Sequence, residues 1–134
     1  MQIGDRYELE AEITADVIAG FIVDAACRSP EERQPAVLAT AGMIALMERA
    51  AARLMAPLLE AGELSVGVHV NVTHIAPVPA GALVTVSAEY LGKPADFYEF
   101  EVRLEDAAGI AGAGTHGRAI VAEERLLQGA ARRR

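Results

Sequence analysis

Cysteine is almost missing from this chain. Cys27 stands alone, so no internal disulfide can form, and the chain suits a reducing compartment. Basic residues are also short. Against 19 Asp and Glu there are 12 Lys and Arg, a net charge of −7, which is a poor match for nucleic-acid phosphates. Long hydrophobic runs are absent too. The longest, 36–47, is interrupted by Thr40 and Gly42 and falls short of the about 20 residues a bilayer takes. The first residues are polar and alternating, not basic then apolar, so no secretory leader is expected. Internal repeats and low-complexity segments are lacking. These absences set the expectation of a cytoplasmic protein with neither nucleic-acid nor membrane partners.

What is present reads as globular, with 52% hydrophobic and 23% charged residues. At 134 residues there is room for one core. We assign 1–128 to a single domain and 129–134 to a basic tail expected to be disordered. The organising stretch is 37–59, rich in Ala, Leu and Met, which are strong helix formers. Up to Met47 it is apolar on nearly every side, as in a helix wrapped by other elements. Arg49 and Arg53, one turn apart, are its first solvent-facing pair. Pro57 weakens the last turn and Gly62 ends the helix.

The rest alternates. Tyr7, Leu9, Ala11 and Ile13 mark a first strand with period two. Residues 16–26 read as a short helix or a segment over a pocket, and 28–35 as a connection. In 64–75, Val66, Val68, Val70 and Val72 are expected on one face, with His74 continuing their register. Ser65, Gly67, His69, Asn71 and Thr73 are expected on the other. Val84 to Tyr90 and Tyr98 to Leu104 give two further strands joined by a hairpin. The last strand, 110–123, carries several glycines, which indicate a bend, a bulge or a close backbone approach. One antiparallel sheet curled around one helix accounts for this order. Such a sheet leaves exposed edges, and pairing with a second copy is the simplest cover, so a homodimer is expected.

Three residues stand out for chemistry. Glu48 sits where the apolar helix turns polar. It reads as a surface acid, or as an acid converging with His74 on one interior. His74, at a strand end on the core register, reads as a core-edge histidine or as a general acid/base. Thr40 reads first as the cap of a helix starting at Ala41. Backbone amides beside such a cap could hold an oxyanion. On a straight helix Thr40 and Glu48 lie about 12 Å apart along the axis. They can share one small group only if Thr40 precedes the helix or serves across a dimer interface. His69 falls on the opposite strand face. The histidines and Cys27 form no metal or cysteine-nucleophile motif, and no cofactor is expected. The segment GAGTHGR (112–118) is not a phosphate loop. Met43, Met47 and Met55 read as core filler.

Four blocks, TAGMIALME (40–48), MAPLLE (55–60), SVGVHVNVTH (65–74) and APVPAG (76–81), together with GAGTHGR, resemble the fluoroacetyl-CoA thioesterase-like family. The resemblance covers most of 37–121. It implies a dimeric hotdog fold of the α+β class, with an antiparallel sheet of about five strands wrapped around one long helix. It also implies catalytic roles for Thr40, Glu48 and His74, and hydrolysis of an acyl-CoA thioester in a pocket at the dimer interface. Gly42 is then expected to present its amide to substrate, and Arg118, with Lys93, to meet CoA phosphates at the rim. Two departures keep fluoroacetyl specificity out of the expectation: Gly117 replaces a frequent glutamate, and 15–34, where a lid would lie, matches poorly. A binding module using the same pocket without catalysis is the alternative, and a hydratase a weaker third.

Overall fold

The computed structural model of the protein describes residues 1–20, 31 and 34–134. Expectations for Cys27 and for most of the lid segment lie outside the described residues. Among them no helix is long and apolar enough to cross a membrane.

Five strands form one antiparallel sheet in the order β1-β3-β4-β5-β2. They are β1 (Arg6–Glu12), β2 (Glu63–His74), β3 (Leu83–Gly92), β4 (Tyr98–Asp106) and β5 (Gly109–Ala122). Helix α1 (Thr40–Met55) packs against one face, and a 3-10 turn, Ala56–Leu58, follows with Pro57 in its first turn. The helix is shorter than the 37–59 expected. Val37 and Leu38 instead make isolated bridges with Pro79 and Ile18. After β5 the chain turns into helix α2 (Glu123–Ala131), which takes up part of the segment assigned to a tail.

The core lies between α1 and the centre of the sheet. Met43, Leu46, Met47, Ala50, Ala51 and Met55 meet the inward residues Val84, Val86, Ala88, Phe100, Val102 and Leu104. The inward sets of β3 and β4 match their alternation in the sequence. The helix is not wrapped on all sides. Ala41, Ala45, Arg49 and Arg53, at four-residue spacing, form an open stripe.

Strand β2 departs from its expected register. Its pairing with β5 runs Gly67 to Arg118 and then His69 to Gly117, so Val68 is an extra, bulged residue. A bulge shifts the alternation by one. Ser65 and Gly67 therefore share the inner face with Val70, Val72 and His74, whereas Val66 goes with His69 to the outer face. The period-two reading put Ser65 and Gly67 outside because alternation alone cannot show an inserted residue. β2 is also an edge strand, and Val68 and Val70 are exposed along it.

Phe100 is fully buried and its ring centroid lies 5.7 Å from that of Tyr90. Phe100→Ala is expected to lower stability by about 3–5 kcal/mol. Leu83→Ala, at a site 74% exposed, should leave the urea midpoint close to that of the parent.

Candidate active site

Two clusters occupy opposite ends of β2. The first is at the start of α1. The cap residue is Ala39, in extended backbone with no side-chain bond to the helix, and Thr40 is already helical. Thr40 therefore does not cap. Its Oγ1 lies 2.9 Å from Nδ1 of His74. When the hydroxyl donates to Nδ1, the ring proton sits on Nε2. That Nε2 is buried and has no hydrogen-bond partner among the described residues. A buried ring nitrogen left without any partner costs about 1–3 kcal/mol. A cavity of about 340 Å³ adjoins it, lined by Val37, Leu38, Ala39, Thr40, His74 and Ala76 among others. The first helical bond of the α type here runs from Met43 N to Ala39 O, 2.9 Å. The amides of Thr40, Ala41 and Gly42 come before it, at the positive end of the helix. Gly42 is buried there, and a Cβ would stand 2.5 Å from the carbonyl oxygen of Val17.

The second cluster surrounds Glu48, two turns further on. Its carboxylate lies against Gly67, where a Cβ would stand 2.5 Å from Oε1. A side chain at 67 would push the carboxylate from this position. Beside it are His116 and Arg118 on β5, 1% and 6% exposed. Nδ1–H of His116 donates to the carbonyl of His69 at 2.8 Å, and Arg118 donates to His116 Nε2 at 3.1 Å. These two neighbours fix the neutral tautomer. Burial lowers the His116 pKa below its ordinary value, with Arg118 acting in the same sense, while the His69 carbonyl and Glu48 oppose the shift. Arg118 also donates to Oγ and the carbonyl oxygen of Ser65, at 3.1 and 2.8 Å. Its hydrogen-bond partners are all neutral. Burial lowers its pKa and the charge of Glu48 raises it. The charge of Glu48 thus offsets part of the cost of burying the guanidinium.

The structure brings Thr40 and His74 together but not Glu48. From Gly67 to His74 the strand runs roughly 20 Å, and Glu48 is not among the residues lining the cavity beside His74. Among the described residues the cavity beside His74 does not extend to Glu48, so the expected shared cavity is not formed by these residues of one chain alone. Arg118 is also not at a rim, because its guanidinium is enclosed behind Glu48. Lys93 lies over the ring of Tyr98, 4.4 Å from its centroid. Sequence reasoning passed over His116 and Ser65. The signal for His116 was its parity with Gly112, Gly114 and Arg118 on β5, a set that faces α1. On the outer face, His69 pairs with Glu99 of β4.

Solved structures define the class. A thioesterase-superfamily protein from Thermus thermophilus superposes with a TM-score of 0.82 at 22% identity, covering 98% of this chain and 91% of that one. A hot-dog-like protein from Thermanaerovibrio acidaminovorans gives 0.81 at 19%, covering 99% and 93%. The architecture is therefore the hotdog fold. A structure of the fluoroacetyl-CoA thioesterase FlK superposes with a TM-score of 0.91 at 33% identity, over 100% of this chain and 98% of that one. The fluoroacetyl-CoA thioesterase of Streptantibioticus cattleyicolor is 43% identical over 127 residues, 94% of this chain and 89% of that enzyme. The profile of the fluoroacetyl-CoA-specific thioesterase family matches residues 23–124. The chain belongs to that family.

The buried, neutral His116 makes stability depend on pH. Its pKa is depressed in the fold relative to about 6.5 in an unfolded chain. The unfolded state therefore binds the proton more readily. The contribution is complete above about pH 6.5 and falls as the pH drops towards the folded value. Urea midpoints compared across this range should fall less steeply with acid in His116→Gln than in the parent. Parallel curves would contradict a neutral buried imidazole.

Proposed function

We propose that this chain hydrolyses short acyl-CoA thioesters as a homodimer whose active site joins Thr40 and His74 of one protomer to the partner's Glu48. Family membership supports thioester hydrolysis. The observation that carries the composite site is the placement of Gly67, under Glu48, and His74 on one face of an unpaired edge strand. Antiparallel pairing of β2 with the partner's β2, with Asn71 on the two-fold axis, sets Val70 opposite the partner's Val72 and His69 opposite the partner's Thr73. With Val68 bulged, Gly67 then falls opposite the partner's His74. Every pair in this register has both members on one face, as a ladder requires. It covers exposed Val68 and Val70 and brings a carboxylate to each orphaned Nε2.

In such a site the thioester carbonyl lies near the start of α1. Nε2–H of His74 and the free amides there, that of Gly42 included, are placed to stabilise the developing oxyanion. Thr40 holds the ring through Nδ1. In one route the Glu48 carboxylate bonds to the carbonyl carbon and the C–S bond breaks. CoA leaves as a thiolate that takes a proton, and water opens the anhydride. In the other, Glu48 takes a proton from a water that attacks the same carbon, and that proton passes to the thiolate. Label in Glu48 after a single turnover in ¹⁸O-water would identify the first route with water attacking the Glu48 carbonyl, since the second route never bonds oxygen to that carbon. Arg118 and His116 stay behind the carboxylate and keep its charge in place. The cytoplasm, with its acyl-CoA supply, is the setting we assign.

Relatives direct the choice of substrates. The Streptantibioticus cattleyicolor enzyme is named for fluoroacetyl-CoA, and a variant of FlK has been solved with fluoroacetate and CoA. A thiol-release assay over acetyl-, fluoroacetyl- and longer acyl-CoAs should show turnover, reduced at least about 100-fold in Glu48→Ala. Tight acyl-CoA binding without turnover in either protein would instead indicate a binding module.

Mixed dimers test the shared site. Glu48→Ala and His74→Ala should each be inactive alone. Unfolded and refolded together, they should recover about a quarter of parental activity, because half the dimers carry one complete site of two. Sites contained within single chains would recover none.

A further inference from the structure

The outer face of β2 holds a contact that the reaction leaves unused. Nε2 of His69 bonds Oε1 of Glu99, so a side-chain link runs from β4 to β2. It passes over the intervening strand β5 at Gly117, and a Cβ there would run into the imidazole and come within 3.0 Å of Glu99 Oε1. A side chain at 117 would displace the link from this position. Phe97 adds an edge contact, with ring centroids 6.4 Å apart.

His69 is also the residue immediately after the bulge, and its carbonyl is the acceptor for Nδ1–H of His116. His116 in turn accepts from Arg118, which donates twice more to Ser65 on the near side of the bulge. Glu48 rests on Gly67 between these two anchorages. The side chain of His69 is thus tied to the outer face while its backbone holds the inner network. Being at the sheet edge, β2 has no second strand among the described residues to fix the bulge.

We propose that His69 is a positioning residue for Glu48, acting with Glu99 across Gly117 as a strut that holds the bulge at Val68 in place. The proposal rests on the thioesterase reading for its kinetic consequence but not for its structural one. Loss of the strut lets the His69 carbonyl drift. The His116–Arg118 pair loses its fixed end, and the carboxylate beside it is no longer held at one distance from the reacting carbon. Misplacement of this kind lowers the rate of chemistry more than it lowers substrate affinity.

The structural test is the Nδ1–H of His116, followed by NMR in ¹⁵N-histidine-labelled protein. Its exchange with water should quicken by about tenfold in His69→Ala, Glu99→Ala and Gly117→Ala. His69→Gln keeps a side-chain donor towards Glu99 and should restore much of the protection. The kinetic test uses the same variants with the best acyl-CoA. We expect kcat to fall by about tenfold with KM changed less than about twofold, and His69→Gln to recover most of it. Unchanged exchange and unchanged kcat in His69→Ala and Glu99→Ala would overturn the strut. Equal loss in His69→Gln and His69→Ala would also overturn it. Should the parent protein turn over no acyl-CoA, the thioesterase reading fails and the exchange rates alone decide the strut. If His69→Ala does not fold, Glu99→Ala, which leaves β2 untouched, settles the question.

Discussion

A carboxylate carried into apolar ground by the main helix is the contact on which the rest of this structure turns. Glu48 follows Met43, Leu46 and Met47, all buried, and lies directly against the sheet. Two features make it tolerable. Gly67 removes the side chain that would occupy the same space. Arg118 supplies a buried positive charge whose own hydrogen bonds go to neutral groups, so its charge remains available to the acid. The arrangement is costly in desolvation, and charges buried at such cost belong more often to sites than to scaffolds.

Much of this was legible in the residues before any coordinates, and the failures have physical causes. Alternation placed Val84 to Tyr90 and Tyr98 to Leu104 correctly, because strands that are buried on one face keep strict period two. Thr40, Glu48 and His74 stood out because polar groups on apolar elements are uncommon. The end of α1 was overrun at Val37 and Leu38, since apolar residues in an isolated bridge look like apolar residues in a helix. The inner faces of Ser65 and Gly67 were misread, because a bulge has no composition of its own. Arg118 was sent to the rim because CoA phosphates call for basic partners there. Its burial follows from partners on β2 that are distant in sequence. The resemblance to a family implied roles for the trio but said nothing of their geometry, in which Thr40 meets His74 and Glu48 lies against Gly67.

An unpaired edge strand ordinarily invites unwanted association and is blunted by charge or proline. β2 shows neither device in its second half. Val68 and Val70 are exposed, and the next residues are Asn71 and Thr73. The histidine at its end keeps a buried nitrogen without a partner. Both features are what the proposed pairing with a second copy would cover. The exposed stripe on α1 fits the same conclusion. Ala41 and Ala45 are small enough to lie under another chain without cost, while Arg49 and Arg53 suit solvent.

The bulge at Val68 then acquires a chemical meaning. Gly67 and His74 are seven residues apart, an odd interval, and in an unbroken strand their side-chain directions would oppose each other. The carboxylate would lie over one face and the imidazole under the other, in one chain or across two. One inserted residue reverses the parity of everything after it. With Val68 set aside, the bed of Glu48 and the ring of His74 face the same layer, and pairing of β2 with its own copy can bring them together. The same insertion turns the carbonyl of His69 towards His116, which anchors Arg118 behind the acid. A single extra residue in an edge strand is thus what sets the bed of the acid and the ring of the histidine on the same face of the sheet.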